Sequence, residues 1–414
     1  MRKLVIGLAV VGLALSVSPA WAKKSECEEC HAKLHPKLVQ DFNRGKMAES
    51  LTCKACHGTS HKGNDDVDKA KLPTIETCQM CHDEQAEQYL AGKHAKGLLA
   101  IEALPFTHGQ PKPYIAGQKG CGGCHTLGLV DASVRESEGR KYYKYWMDCQ
   151  NCHTRHAFSK KEALEPEACQ TCHMGFDHPQ WEMWSSSKHG VAYLLDGEEH
   201  RGPKCQDCHM PGGDHRVRTA VGFLGLDLTT TDPEMQQYQA TILKALGVLD
   251  EKGEYTALLD VVKAGDMVRL DKKDFDAERT RITDQCRQCH SGAFVEANMK
   301  NADLMLKEIN RVFAEAIEIV AGLRRDGIIE VKEGEGVYPQ LLNFYEVDTE
   351  IEEILYEMFM DHRMKAFQAT YHMNPDYATW YGYAKMKKDL VEIREMAQHM
   401  RILAAVEAQQ KDHG

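Results

Sequence analysis

From residue 301 onward, apolar side chains return every three to four positions, which is the period of an amphipathic α-helix. Asp326-Gly327 predicts the end of the first such run. A second run extends from about Thr349 to His372, and a third begins at about Ala384. The pattern predicts three long helices that pack against one another. The apolar positions of the first run are Leu306, Ile309, Phe313, Ala316, Val320 and Leu323.

The pattern before this region is different. Residues 23–220 consist of short segments separated by loops that contain many Gly, Pro and Lys residues, which predicts short helices and little other regular structure. Residues 221–285 contain no cysteine and are expected to form a helical insertion with a turn near Glu251-Lys252-Gly253. The chain is therefore expected to be mainly α, with a final region at 286–414 that carries the C-terminal helical bundle.

The first 22 residues have the pattern of a secretory signal. Arg2 and Lys3 precede an apolar run, Leu4–Val17, that is short for a membrane span. Ala20-Trp21-Ala22 has the small-x-small form of a cleavage site. We expect cleavage after Ala22 and a bacterial periplasmic location; the alternative is that this segment is kept as an anchor.

All sixteen cysteines stand in eight copies of the sequence Cys-x-x-Cys-His. Seven copies fall before residue 221 and the eighth opens the last region. The cysteine pairs are Cys27 and Cys30, Cys53 and Cys56, Cys78 and Cys81, Cys121 and Cys124, Cys149 and Cys152, Cys169 and Cys172, Cys205 and Cys208, and Cys286 and Cys289. The histidines that follow them are His31, His57, His82, His125, His153, His173, His209 and His290.

This spacing is typical of c-type haem attachment. Two thiols one short turn apart can bond the two vinyl groups of one porphyrin, and the adjoining histidine can then bind the iron as its proximal ligand. A disulfide framework is possible in an exported chain, and structural zinc also uses Cys-x-x-Cys pairs. Neither alternative explains why a histidine follows every second cysteine. The motifs therefore predict eight c-type haems with their irons.

Eight haems on 414 residues leave too little chain to wrap each porphyrin in a domain of its own. We expect the haems to lie close together, to form much of the core and to move several electrons. The formal net charge is −11, which argues against nucleic acid as a partner and favours a basic redox partner such as a cytochrome.

Each haem iron also needs a second axial ligand or an open position. Of 21 histidines, eight stand in motifs, so thirteen remain for the distal side. This number permits a pure electron-transfer chain in which every iron is saturated. The residues alone therefore leave open whether one iron can bind a substrate.

The motifs and the sequence around them resemble octahaem hydroxylamine oxidoreductase, from Cys27 to the C-terminal helices and most weakly over 221–285. The most specific stretch is Asn151-Cys152-His153-Thr154-Arg155-His156-Ala157-Phe158-Ser159. It continues through Pro166-Glu167-Ala168-Cys169, Cys172-His173, Gly175, Asp177-His178, Trp181-Glu182 and Ser187-Lys188-His189-Gly190.

The resemblance implies a mainly helical fold with clustered haems, a long C-terminal helical bundle and a homotrimer. It implies that the fourth motif, Cys121, Cys124 and His125, carries the catalytic haem with an open distal face. It also implies that Asp177 and His178 transfer protons and contact a small nitrogen substrate. A carboxylate beside an imidazole can do this at neutral pH.

By the same resemblance, six histidines are distal ligands of other haems, which leaves one saturated iron without its expected histidine. That seventh ligand falls on Met47, and a thioether there would raise the haem potential. His35 or His108 are the alternatives. The six distal histidines are His61, His94, His156, His189, His215 and His372.

The oxidising members of the family carry a tyrosine from a neighbouring subunit that is cross-linked to the catalytic porphyrin. Thr379 takes its position here, and Tyr377 and Tyr381 lie two residues to either side. We therefore expect reduction of nitrite or hydroxylamine, to ammonium when complete, with electrons from a cytochrome or a quinol-linked donor. The alternatives are hydroxylamine or hydrazine oxidation with a cross-link at Tyr377 or Tyr381, and a non-catalytic electron conduit.

Overall fold

The structure is a computed structural model. Several sequence-predicted features, namely the signal segment, the fourth motif (Cys121, Cys124 and His125), His108 and Asp177, lie outside the residues that it describes. The described residues are 25–97, 149–175, 178–196, 199, 201–264, 267–342 and 347–412.

The chain divides into two compact units. The first consists of the residues up to Leu72 together with Arg155–Phe158. It contains three α-helices, α1 (Glu26–Leu34), α2 (Pro36–Arg44) and α3 (Cys53–His57), and two 3₁₀ turns at Lys46–Glu49 and Asn64–Lys69.

Local capping and close backbone contact hold this first unit. The Ser25 hydroxyl accepts a hydrogen bond from the Glu28 N–H and so caps α1. Gly45 lies directly against the backbone of Ala157, where any Cβ would collide with the Ala157 carbonyl. Only glycine permits this approach, which holds the Arg155–Phe158 segment beside α2.

The second unit begins with short helices at or near the haem-attachment motifs. They are α4 (Ile75–Gln79), α5 (Asp83–Leu90), α6 (Lys160–Ala163), α7 (Glu167–Gln170), α8 (Gln180–Ser185), α9 (Lys188–Leu195) and α10 (Cys205–His209). Single 3₁₀ turns lie at His94–Lys96, Cys149–Asn151 and Pro211–Gly213. Short helices were the prediction for this region, and the described residues confirm it.

Residues 221–285 are helical, as the sequence predicts. They contain α11 (Pro233–Ala245), α12 (Leu258–Ala264) and most of α13 (Lys272–Arg287). The predicted turn near Glu251-Lys252-Gly253 is present, and Gly253 adopts a φ of 87° that favours glycine. Because α13 continues into the eighth motif at Cys286, the predicted boundary at 285/286 falls inside a helix; the division into regions stays a prediction.

The C-terminal region is built from three long helical stretches. The first is α14 (Gly292–Arg325), which ends at Asp326 as predicted. The second joins α15 (Glu350–Glu357), a π-helical segment at Met358–Arg363 and α16 (Met364–Tyr371). The third joins α17 (Pro375–Tyr377), a π-helical segment at Ala378–Tyr383 and α18 (Ala384–Asp412).

The main hydrophobic core belongs to this region and to the 221–285 insertion. The apolar stripes of α11, α14, α15, α16 and α18 meet in one cluster, and its members all come after residue 220. At about 25 cal/mol per Å² of apolar surface, this cluster is the main hydrophobic contribution to stability among the described residues. Its fully buried members include Ile309, Phe313, Ile317, Leu323, Ile351 and Leu355.

The fold is mainly α, as predicted. Across the described ranges, extended pairing is limited to two isolated bridges, Asp227 with Arg269 and Leu249 with Tyr255. None of the described helices combines the length and the apolar character that crossing a membrane requires.

Candidate haem-binding site

Each described Cys-x-x-Cys-His motif lies on or beside a helical turn, so its histidine returns over the first cysteine. In four motifs the backbone N–H of the histidine donates to the backbone carbonyl of the first cysteine at 2.9–3.0 Å. The turn brings the two thiols and the imidazole close together, as attachment to one porphyrin requires. No disulfide joins any of the fourteen described cysteines, so the disulfide alternative finds no support in them.

Six motif histidines each face a second histidine from elsewhere in the chain. The ring centroids of every pair lie 6.1–6.3 Å apart. The second members are the six histidines that the sequence predicted as distal ligands. The pairs are His31 with His61, His57 with His156, His173 with His94, His153 with His215, His290 with His189, and His209 with His372.

This separation fits an iron held between two imidazoles. Metal–imidazole bonds are about 2 Å long, so two coordinating nitrogens lie about 4 Å apart and their ring centroids about 6 Å apart. Aromatic rings in contact have centroid distances anywhere from about 4.5 to 7 Å, whereas all six pairs fall within 6.1–6.3 Å. The residues present therefore fit a haem in six places.

Hydrogen bonds at Nδ1 orient several of these rings. His372 Nδ1 pairs with the Gln368 carbonyl at 2.8 Å and His209 Nδ1 with the Arg218 carbonyl at 3.1 Å. A carbonyl can only accept, so Nδ1 carries the proton and Nε2 keeps its lone pair for a metal.

Two further pairings orient other members of the set. His61 Nδ1 contacts Asp66 Oδ1 at 2.9 Å, and His57 Nδ1 contacts the Lys71 carbonyl, also at 2.9 Å. Sequence reasoning missed these acceptors. Backbone carbonyls leave no signal in a sequence, and only Asp66, five residues after His61, offers a side-chain hint.

Burial favours the neutral form of four histidines of these pairs. Desolvation, followed by the partner histidine, lowers the pKa of His209 and that of His173 to about 4. Desolvation also lowers the pKa values of His94 and His372. A metal-binding imidazole must be unprotonated, so the folded chain supplies these histidines in the required form at neutral pH.

Buried arginine atoms near the seventh motif also fit a haem. Arg281 Nη1 donates to the Cys208 carbonyl at 3.3 Å, while its Nη2 is buried without a hydrogen-bond partner. Arg279 Nη1 is buried in the same way. Leaving a buried cationic donor unpaired is costly, and a haem propionate has the charge and the oxygen atoms to pair with it.

A family described as seven-times multi-haem cytochrome CxxCH matches residues 49–213. A solved structure called a hypothetical multiheme protein superposes on this chain with a TM-score of 0.66 at 20% identity. The match covers 94% of this chain and 97% of that chain. A structure of the reducing HAO-like (hydroxylamine-oxidoreductase-like) protein complex of Kuenenia stuttgartiensis gives a TM-score of 0.62 at 21% identity. It covers 92% of this chain and 86% of that one.

Over residues 49–213 the chain is a multihaem cytochrome of the Cys-x-x-Cys-His type, and its fold is that of the HAO-like and multiheme structures. A curated relative, a probable nitrite reductase-hydroxylamine oxidoreductase fusion protein of Kuenenia stuttgartiensis, is 23% identical over 92% of this chain. The cytochrome spans about half (52%) of that relative's length.

The other predicted site residues of the cytochrome are only partly described. His178 lies beside the sixth motif, with its ring at 6.5 Å from the His173 ring and edge-on to it. Its neighbour Asp177 and the fourth motif lie outside the described residues, so the predicted grouping of Asp177, His178 and His125 stays a prediction.

The third motif is the one described motif whose histidine, His82, has no paired histidine ring at such a distance within the described ranges. Met47, a candidate ligand from the sequence, lies half-buried in the 3₁₀ turn Lys46–Glu49. His35, the second candidate, lies beside His31 at a centroid distance of 5.5 Å. The third candidate, His108, is not described.

The candidate cross-link residues, Tyr377 and Tyr381, lie with their ring centroids 4.8 Å apart and their planes tilted by 33°. Tyr377 packs against Met183 and Ala369, and desolvation, aided by Glu182, raises its pKa to about 12. Tyr381 is 59% exposed. Of the two, Tyr381 is therefore the ring that another molecule could reach.

Proposed function

We propose that the cytochrome is a periplasmic oxidoreductase that reduces nitrite, hydroxylamine or both, with ammonium as the product of complete reduction. The observation that supports it most is the set of six histidine pairs at the spacing of two axial ligands. Such a set suits low-spin haems that relay electrons rather than bind substrate. Catalysis is then assigned to a haem outside that set.

That haem is the one on Cys121 and Cys124, with His125 as the proximal ligand and an open distal face. Haem supplies electrons and an iron that can bind a nitrogen compound. The chain's own contribution is proton delivery by Asp177 and His178, since each electron added to a nitrogen oxide is accompanied by a proton. In this proposal all eight motifs carry haem.

Two of the assignments are supported by particular features. The His178 ring lies next to His173. The proposed proton donor therefore lies beside a haem that, in this proposal, relays electrons. The relatives named above for nitrite and hydroxylamine chemistry support the substrate class.

A steady-state assay tests the direction and the substrate. The protein is supplied with reduced viologen and either nitrite or hydroxylamine, and in parallel with hydroxylamine and an artificial electron acceptor. We expect reduction to be the faster reaction. Faster hydroxylamine oxidation would favour the opposite direction.

The role of His178 is tested by the substitution His178→Ala, with His399→Ala on the exposed face of α18 as the matched control. General acid catalysis is typically worth about 100-fold or more. We therefore expect a fall of that size in the first variant with unchanged haem content, and no change in the second. Full activity in His178→Ala would contradict the role.

The exposed Tyr381 ring keeps hydroxylamine oxidation as the second candidate function. Denaturing mass spectrometry of tryptic peptides decides it. A peptide in which Tyr381 or Tyr377 is attached to haem in addition to Cys121 would favour oxidation. A conduit without catalysis would instead show no high-spin signal by electron paramagnetic resonance and no shift on addition of nitrite.

The assembly belongs to the same proposal. We expect a homotrimer that exchanges electrons with a basic cytochrome or a quinol-linked donor. The net charge of −11 favours the basic cytochrome. The far end of α18 exposes Ile402, Leu403 and Val406, and apolar side chains grouped in this way favour contact with another subunit. Light scattering of the purified protein should give the mass of three chains.

A further inference from the structure

A cluster of possible metal ligands lies far along the chain from the haem motifs, around the π-helical segment Met358–Arg363. It contains Glu357, Asp361 and His362, whose nearest ligand atoms all lie within 4.8 Å of one another. His362 Nε2 is 3.7 Å from Asp361 Oδ2 and 4.0 Å from Glu357 Oε1. The proposed electron relay and the proposed catalytic haem use none of these residues.

The wide turn of the π-helix creates this cluster. In an α-helix, a residue five positions further on points about 140° away, because each residue turns the chain by about 100°. A π-helical turn instead aligns positions i and i+5. It therefore brings His362 onto the same face as Glu357, where Asp361 already stands as the i+4 neighbour.

His362 is held in place for a ligand. It is 9% exposed, and its Nδ1 contacts Asp389 Oδ2 on α18 at 2.6 Å. This carboxylate fixes the ring and leaves Nε2 directed at the other two carboxylates. The distances of 3.7 and 4.0 Å are too long for hydrogen bonds, so a buried nitrogen faces two anionic oxygens with room for a cation between them.

Two lysines also lie near the cluster. Lys388 is close to Glu357 and Asp389 but is paired with Glu392, and Lys365 contacts Asp361 Oδ1. Asp361 Oδ2 remains on the His362 side. One of the two Asp361 oxygens is thus paired with a lysine, and the other remains for a metal.

We propose that Glu357, Asp361 and His362 bind one divalent first-row transition metal ion, with Zn²⁺ as the best-suited ion, and that Asp389 orients His362. Bonds of about 2.0–2.2 Å place neighbouring donor atoms about 3–4 Å apart, so small movements close the site. Glu357, whose side chain is 61% exposed, can make them.

The ion class follows from the donor set. One imidazole with two carboxylates suits zinc and related metals, while calcium and magnesium prefer oxygen ligands alone. A carboxylate on the far nitrogen of a ligating histidine is the usual outer partner of zinc sites. Three protein ligands leave further positions for water, which the exposed Glu357 side admits.

The test uses the purified holoprotein after dialysis against a chelator, with Zn²⁺ as the probe. Binding is measured by titration calorimetry and by metal analysis beside the haem iron. Glu357→Gln removes one ligand at an exposed position. Glu353→Gln, an exposed residue one turn earlier on α15, is the matched control.

We expect one Zn²⁺ per chain that Glu353→Gln binds as the unaltered protein does and that Glu357→Gln binds at least tenfold more weakly. Asp389→Asn should weaken the same site about 10- to 100-fold. X-ray absorption at the zinc edge should show nitrogen and oxygen ligands that include one imidazole.

Equal Zn²⁺ binding by the unaltered protein and Glu357→Gln would overturn the proposal. The cluster would then be a network of polar contacts that holds no metal. Calcium binding at the same site as tight as that of Zn²⁺ would overturn the assignment to transition metals.

Discussion

Rings meet in different ways in two parts of the cytochrome. Before residue 220 four pairs of histidine rings have centroids 6.1–6.3 Å apart, the spacing of two imidazoles on one iron. In the C-terminal helices Phe313 stacks on Phe359 at 5.6 Å, with the planes 11° apart. The second region fills its own core, whereas the first leaves room for porphyrins. Haem should therefore be structural in the first region and should contribute little to the packing of the helical core in the second.

Loss of one haem should have the largest effect on this contrast. In the double variant Cys53→Ala and Cys56→Ala, no thioether bond can form and the pairing of His57 with His156 loses its iron. We expect amide exchange in residues 25–72 to rise strongly, while residues 292–325 stay protected. Hydrogen exchange with mass spectrometry measures both regions, and equal deprotection of both would show that their stabilities are not separate.

The converse experiment perturbs the packed region. Phe313 is fully buried, so Phe313→Ala should cost about 3–5 kcal/mol by leaving a cavity. Haem content and the ultraviolet–visible spectrum should not change. Thermal unfolding followed at the Soret band and by far-ultraviolet circular dichroism measures the cost. Haem loss in the folded variant would contradict the proposed separation.

His372 connects the two regions, because it follows the last residue of α16 and faces the motif histidine His209. A substitution at His372 therefore sharpens the comparison. His372→Met should raise the potential of the haem on Cys205 and Cys208 by on the order of 0.1 V, since a thioether favours reduced iron more than imidazole does. Potentiometric titration measures the shift. His399→Met provides the control, and an unchanged potential would mean that His372 is not an axial ligand.

The smallest expected effect concerns an acid-dependent contact inside the helical region. Hydrogen bonds from Arg311 lower the pKa of Glu308 to about 2 from 4.5. A carboxylate whose pKa is lower in the folded than in the unfolded chain stabilises the folded protein above pH 4.5. That contribution to the free energy of unfolding is lost as the pH falls toward 2. The difference in melting temperature between Glu308→Gln and the unaltered protein should therefore shrink over this range.

The pair of Glu308 and Arg311 is partly exposed, so its whole contribution should be under about 1 kcal/mol. Lys388 and Glu392, a more exposed pair on α18, offer the comparison through Glu392→Gln. If the difference in melting temperature between Glu308→Gln and the unaltered protein grows as the pH falls, the prediction from the lowered pKa is wrong.

How much could be read from the sequence differs between the same two regions. Apolar periodicity predicted α14 and its end at Asp326, because a helix that packs on its neighbours carries that period. It also predicted the start of the third helix at Ala384, where α18 begins, but it did not predict the short helix Pro375–Tyr377 that precedes it. The π-helical segment Ala378–Tyr383 breaks the period, and its Gly382 lies directly against the Ala366 backbone.

In the haem-binding region the situation is reversed. Little of the backbone was predictable beyond short helices, but the chemistry was explicit in the motifs. The resemblance to hydroxylamine oxidoreductase supplied the set of distal histidines without their partners. Pairing such as that of His94 with His173 depends on how the connecting chain folds, which neither composition nor spacing encodes.

The paired histidines also have a consequence for how the protein is made. His209 and His372 are far apart in the chain, as are His189 and His290, so an iron shared by either pair would close a long loop in the manner of a covalent staple. Such staples reduce the freedom of the unfolded chain, yet they exist only after porphyrin is attached. We expect haem to be attached to an open, newly made polypeptide, with the distal imidazoles closing over each iron afterwards.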